Sequence, residues 1–207
     1  MTIAWGIFLP SVVLLYYPAE RIMPTGQKLR TYSQLSDPAQ RHRHSWWRWQ
    51  PALWADALRI AAAVWLLNFS IVPAAGESRA LAVVLLGGLL MLALIPQMVT
   101  RRKPDAMFAP VGYVLAVLFV LLPLSAALPA AVLGIVGLMA IRDFTAFFIG
   151  GGLMAVLLGY FLGGSLVTSC MVAAIFALPA IVSAMFRCKL VLPVRVGSVT
   201  IPVAPPR

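Results

Sequence analysis

An all-α, polytopic membrane bundle of roughly six spanning helices is the fold this sequence predicts, and three observations predict it. The chain of 207 residues is 62% hydrophobic and only 11% charged, with a mean hydropathy of +0.95. A soluble domain of that size could not bury so much apolar surface in one core. The apolar residues also fall into long runs of the kind that cross a hydrocarbon layer. Finally, the Lys and Arg residues behind the formal net charge of +10 sit in short clusters between those runs, the pattern that orients a membrane protein. A nucleic-acid surface would need exposed basic groups interleaved with stacking aromatics, whereas most aromatics here lie inside or at the edges of apolar runs. No nucleic-acid partner is expected.

The elements follow in order. Residues 3–17 are too short to cross comfortably, contain Pro10 and end in Tyr16, Tyr17 and Pro18, so residues 1–19 read as an interfacial or half-inserted segment. With no basic n-region and no small-x-small cleavage pattern, they do not read as a signal peptide, and the mature chain is expected to start at Met1. Residues 20–51 turn polar and basic, with Arg21, Lys28, Arg30, Arg41, Arg43 and Arg48 outnumbering Glu20 and Asp37. This stretch reads as a cytoplasmic linker against anionic headgroups. It ends in Trp46, Trp47 and Trp49, with Trp54 beyond, an aromatic belt where the next helix enters the bilayer. Arg41, Arg43, Arg48, Trp46, Trp47 and Trp49 are the expected headgroup contacts.

The bundle itself occupies residues 52–187, with spans predicted over 53–72, 80–99, 108–122, 130–141, 144–162 and 166–186. Pro123 and Pro129 bracket an uncharged far-side connection over 124–128, which leaves the fourth run short. A tilted crossing, a locally thinned bilayer and a re-entrant segment all fit it. Basic residues precede span one and follow spans two (Arg101, Arg102, Lys103), four (Arg142) and six (Arg187, Lys189). Both chain ends are therefore expected in the cytoplasm, with the membrane itself read as a bacterial inner membrane. Should residues 3–17 also cross, the count becomes seven and only Met1 moves to the far side. The tail over 188–207, valine-rich around Gly197 and Ser198 with four prolines, reads either as a small two-stranded arm or as an extended tail.

Candidate sites are few. Asp56 and Arg59 share one helical face by their i, i+3 spacing. They read as a structural ion pair at the membrane edge, with Arg59 snorkelling to headgroups, in preference to a catalytic or transport pair, because ionisable groups near a span's end cost far less than at its centre. Asn68 is expected to bond a neighbouring helix, and Ser165, Thr168, Ser169 and Ser183 to bond back to their own. Gly151, Ala155, Gly159 and Gly163 recur every four residues as a small-xxx-small stripe, an interface for another helix of this chain or of a partner. Gly150 and Gly152 widen it, and Gly134 and Gly137 offer a second small surface.

His42 and His44 lack a third ligand and sit among arginines, so no metal site is expected. Cys170 and Cys188 would lie about 27 Å apart on one helix and cannot pair with each other. No nucleophile elbow, zinc-protease helix, phosphate-binding loop or pair of intramembrane carboxylates occurs. No cofactor and no catalytic residue is expected. The leading expectation is a non-enzymatic membrane subunit that packs within, or scaffolds, a larger assembly of other membrane subunits or of its own copies. A small permease or channel for a neutral or lipid-like solute is the alternative, and a lipid-modifying enzyme the third reading.

Overall fold

The computed structural model describes residues 2–17, 28–32, 51–73, 78–99 and 106–194. Those residues form seven helices: α1 (Trp5–Tyr16), α2 (Pro51–Ser70), α3 (Arg79–Val99), α4 (Val111–Leu121), α5 (Leu124–Ile141), α6 (Phe144–Phe161) and α7 (Leu166–Met185). Four of them, α3, α5, α6 and α7, are long and apolar enough to cross a membrane, while α1 and α4 are shorter apolar helices. In lipid the backbone must satisfy its own polar groups, which leaves the helix as the way for such runs to be ordered.

The helices pack as two linked groups. In one, α2 lies between α1 and α4. In the other, α6 lies between α5 and α7, and α3 joins the groups by lying along α7. The buried core runs continuously through both, from Leu15, Ile60 and Leu67 to Phe147, Phe148 and Phe176.

Short strands close the two ends of the bundle. At one end β1 (Thr2–Ile3) pairs antiparallel with β3 (Ile71–Val72), with Thr2 opposite Val72 and Ile3 opposite Ile71. At the other end β5 (Lys189–Val194) is the centre of a three-stranded sheet, antiparallel to β2 (Lys28–Arg30) and parallel to β4 (Ala106–Phe108). The Ala109 N–H extends the second ladder by donating to Val191 O at 2.9 Å. This sheet gathers the segments before α2, before α4 and after α7 at one end. The edge-to-face contact of Tyr32 with Phe144 brings the start of α6 to the same place.

The segment over residues 3–17, read as interfacial or half-inserted, forms α1, which runs antiparallel along α2, from Ala4 N–H donating to Ser70 O at one end to Leu14 O accepting from Arg59 at the other. The start of the chain therefore lies at the end opposite the three-stranded sheet. Two expectations change. Residues 124–128 are not a connection but the first turns of α5. Pro123 is the N-cap of that helix, where a missing N–H costs least, and the helix continues through Pro129 in its second turn. The fourth run is thus a full-length helix of 18 residues, about 27 Å long. Finally, β5 pairs with β2 and β4 and not with a second strand of the tail. The rest of the tail, with Gly197 and Ser198, lies outside the described residues.

The stripe on α6 sits at its closest contacts. A Cβ on Gly151 would come within 2.6 Å of Phe176, one on Gly152 within 3.1 Å of the same side chain, and one on Gly159 would run into Ser169 Oγ. Ala155 is fully buried. On the other side Gly134 of α5 would meet Phe147 at 3.2 Å and Gly151 Cα at 3.3 Å. Gly163 departs from the stripe: it lies beyond the end of α6, has open space around its Cα and a φ of +89°. Its role is the left-handed turn that lets Gly164 N–H donate to Gly159 O at 2.7 Å.

At the opposite end of α6, Arg142 takes a left-handed C-cap conformation. Asp143 then caps the new helix by accepting from the Thr145 N–H at 3.1 Å. Because Gly159 has no room for a side chain, Gly159→Leu should destabilise the fold by at least about 1–3 kcal/mol. Leu157→Ala, at a position 49% exposed, should change little. Thermal melting of the two variants in detergent checks this, and equal profiles would contradict it.

A candidate functional site at the end of α1

The candidate site begins with a missing hydrogen. An α-helix leaves its last carbonyls open, and the N–H that would close Leu14 O belongs to Pro18, which has none. The last bond α1 makes is Tyr17 N–H to Val13 O at 3.0 Å. Two side chains from neighbouring helices take over. Arg59 of α2 donates through Nη1 to Leu14 O, and Gln97 of α3 donates through Nε2 to Leu15 O at 3.0 Å. A cation at the negative end of a helix is also favoured by the helix dipole.

Arg59 is held in turn by Asp56. Its Nε and Nη2 both donate to Asp56 Oδ1, at 3.0 and 2.6 Å, and both side chains are only 8% exposed. The guanidinium therefore turns inward, onto the end of α1, instead of snorkelling to headgroups. One turn's spacing puts both side chains on the face of α2 that α1 covers, and the carboxylate compensates a charge that would otherwise be buried alone.

Tyr113 of α4 is also buried, and its hydroxyl donates to Leu90 O of α3 at 2.8 Å. The remaining polar side chains bond close by. Ser11 Oγ donates to Phe8 O at 2.7 Å, Ser70 Oγ to Leu67 O at 2.8 Å, and Ser169 Oγ to Ser165 O at 3.0 Å. Ser183 bonds not to its own helix but across the turn after α7, to Cys188 O at 2.6 Å. Asn68 is exposed on the flank of α2 instead of bonding a neighbour, Cys170 is exposed and Cys188 buried. Arg41, His42, Arg43, His44, Trp46, Trp47, Arg48 and Trp49 lie outside the described residues.

Sequence reasoning reached Asp56 and Arg59 but missed Gln97, Tyr113 and the carbonyls of Leu14 and Leu15. For Leu14 the signal was present, since Pro18 four residues later lacks the N–H that would close it in a continued helix. Gln97 and Tyr113 carried no comparable mark, because their partners depend on which helices become neighbours.

Chemically the cluster is a clamp. A guanidinium, a carboxylate and a carboxamide hold a helix end, and among the described residues no thiol, hydroxyl or imidazole side chain hydrogen-bonds to them. Among the described residues no three His, Cys, Asp or Glu side chains gather as a metal site would require. No family model, no curated protein and no solved structure matches this chain.

The clamp makes a quantitative expectation. Arg59→Gln strands Asp56 beside an open carbonyl and Asp56→Asn strands a buried guanidinium, so each should cost about 3–5 kcal/mol. The double variant Asp56→Asn/Arg59→Gln should lose less than the worse single variant. Membrane-inserted yield and detergent melting of the four proteins check this. A double variant at least as impaired as the worse single one would mean that the pair does not act as mutual compensation.

Proposed function

We propose that this chain is a non-enzymatic integral membrane subunit that packs within, or scaffolds, a larger membrane assembly. One observation carries the reading: every buried polar side chain of the described helices bonds within the bundle, with the Gln97 Oε1 acceptor the one such atom left over among the described residues. Asp56, Arg59 and Gln97 secure α1, Tyr113 ties α4 to α3, and Ser11, Ser70, Ser169 and Ser183 bond to nearby carbonyls. An enzyme or an ion-coupled carrier would need such groups facing a reactant. The outward faces of α5 and α6 are apolar instead, with Val132, Ile135, Val136, Met139, Leu153 and Leu157 all exposed. These surfaces suit lipid or another subunit's helices.

The finer topology belongs to the same proposal. The end carrying the three-stranded sheet faces the cytoplasm of a bacterial inner membrane, because the basic segments before α2, between α3 and α4, and after α7 converge there. Besides the four long helices, α2 and the shorter α4 cross, which gives six spans. The half-length α1 starts on the far side.

Purification in mild detergent tests the function. A complex of fixed stoichiometry, with a second membrane protein or with further copies of this chain, is the expected result. A monodisperse single chain that moves a neutral solute across liposomes would replace the scaffold with a permease.

A further inference from the structure

The carboxamide of Gln97 is only half used. Its Nε2 donates to Leu15 O, while Oε1 is buried and accepts no hydrogen bond among the described residues. Turning the amide over does not help, because Leu15 O would then face an oxygen. With Gln97 only 8% exposed, bulk water does not reach it. Such an acceptor is destabilising until a donor arrives.

The neighbourhood selects the kind of donor. Gln97 and Arg59 cap consecutive carbonyls at the negative end of α1, and the Arg59 charge is compensated by Asp56. With those carbonyls capped and that charge compensated, the group left over is the Oε1 acceptor, which an N–H donor fits and an anion does not. Depth narrows it further. Gln97 stands in the last turn of α3, at the end that carries the three-stranded sheet, and Tyr16 and Tyr17 beside it are 40% and 38% exposed. Half-exposed tyrosines at a helix end belong at headgroup level.

We propose that Gln97 Oε1 is the acceptor of a lipid-headgroup site at the end of α1, and that its ligand is the ammonium group of a zwitterionic lipid. The headgroup N–H donates to Oε1, and the acyl chains lie along the exposed flank of α1.

The test is the melting temperature of the full chain in bilayer nanodiscs made of phosphatidylethanolamine, its mono- and dimethyl derivatives, or phosphatidylcholine. The first three keep at least one N–H and the last has none. A step is expected: similar melting in the first three lipids and a fall of about 2–4 °C in phosphatidylcholine, the size of one hydrogen bond in a chain this long. In Gln97→Met the step should vanish.

A graded decline with each methyl group would assign the effect to headgroup size and overturn the site. Equal melting in all four lipids, as an internal water would give, overturns it too. So does a step that persists in Gln97→Met, or stabilisation by phosphatidylglycerol alone. Should Gln97→Met not fold, the shape of the unmodified protein's series, step or slope, still decides.

Discussion

The bond from Arg59 to the carbonyl of Leu14 is the constraint on which this end of the molecule depends. At the end of α1 the Leu14 carbonyl is turned inward, onto the buried pair of Arg59 and Asp56, so it needs a protein donor. Pro18 lacks the backbone hydrogen that would close it in a continued α-helix. The closure has to come from another helix, and Arg59 supplies it with a charge that suits the negative end of α1. Asp56 then becomes necessary, since an uncompensated guanidinium at this burial would cost more than the cap returns.

Several features follow from that one contact. Fixing Leu14 at Arg59 makes α1 antiparallel to α2 and carries Thr2 and Ile3 to Val72 and Ile71, where they form the small ladder at the opposite end. The same docking brings Leu15 to Gln97 and so ties α1 to α3. From α3 the order passes to the second group through close approach: a Cβ on Gly87 would run into the side chain of Met171 on α7. The stripe Gly151, Ala155 and Gly159 repeats that device between α6 and α7. Lipid supplies no hydrophobic drive for helices to meet, so close backbone approach and interhelical hydrogen bonds do most of the joining. The three-stranded sheet adds a tie at one end, pairing segments that lie before α2, before α4 and after α7.

Much of this was legible in the sequence where hydropathy alone decides. The runs read as 53–72, 80–99, 144–162 and 166–186 correspond to Pro51–Ser70, Arg79–Val99, Phe144–Phe161 and Leu166–Met185. The reading failed where prolines and short polar residues carry two meanings. Pro123 and Pro129 suggest a loop, yet Pro123 stands at the N-cap and the helix continues through Pro129, so Leu124–Ile141 is one helix. The site was half legible. Asp56 and Arg59 stand out as charges in an apolar run, but that Arg59 faces inward follows only from α1 lying on top of it, a contact 45 residues away in sequence.

The dependence of Arg59 on the missing hydrogen of Pro18 can be measured directly. Pro18→Ala returns an N–H four residues after Leu14, so the carbonyl can be closed without the guanidinium. In the Pro18→Ala background, replacing both Asp56 and Arg59 by Asn and Gln should lower the detergent melting temperature by clearly less than the same replacement does in the unmodified chain. About 1 kcal/mol of rescue is expected, the contribution of one hydrogen bond. An equal loss in the two backgrounds would mean that Arg59 does not act by closing α1.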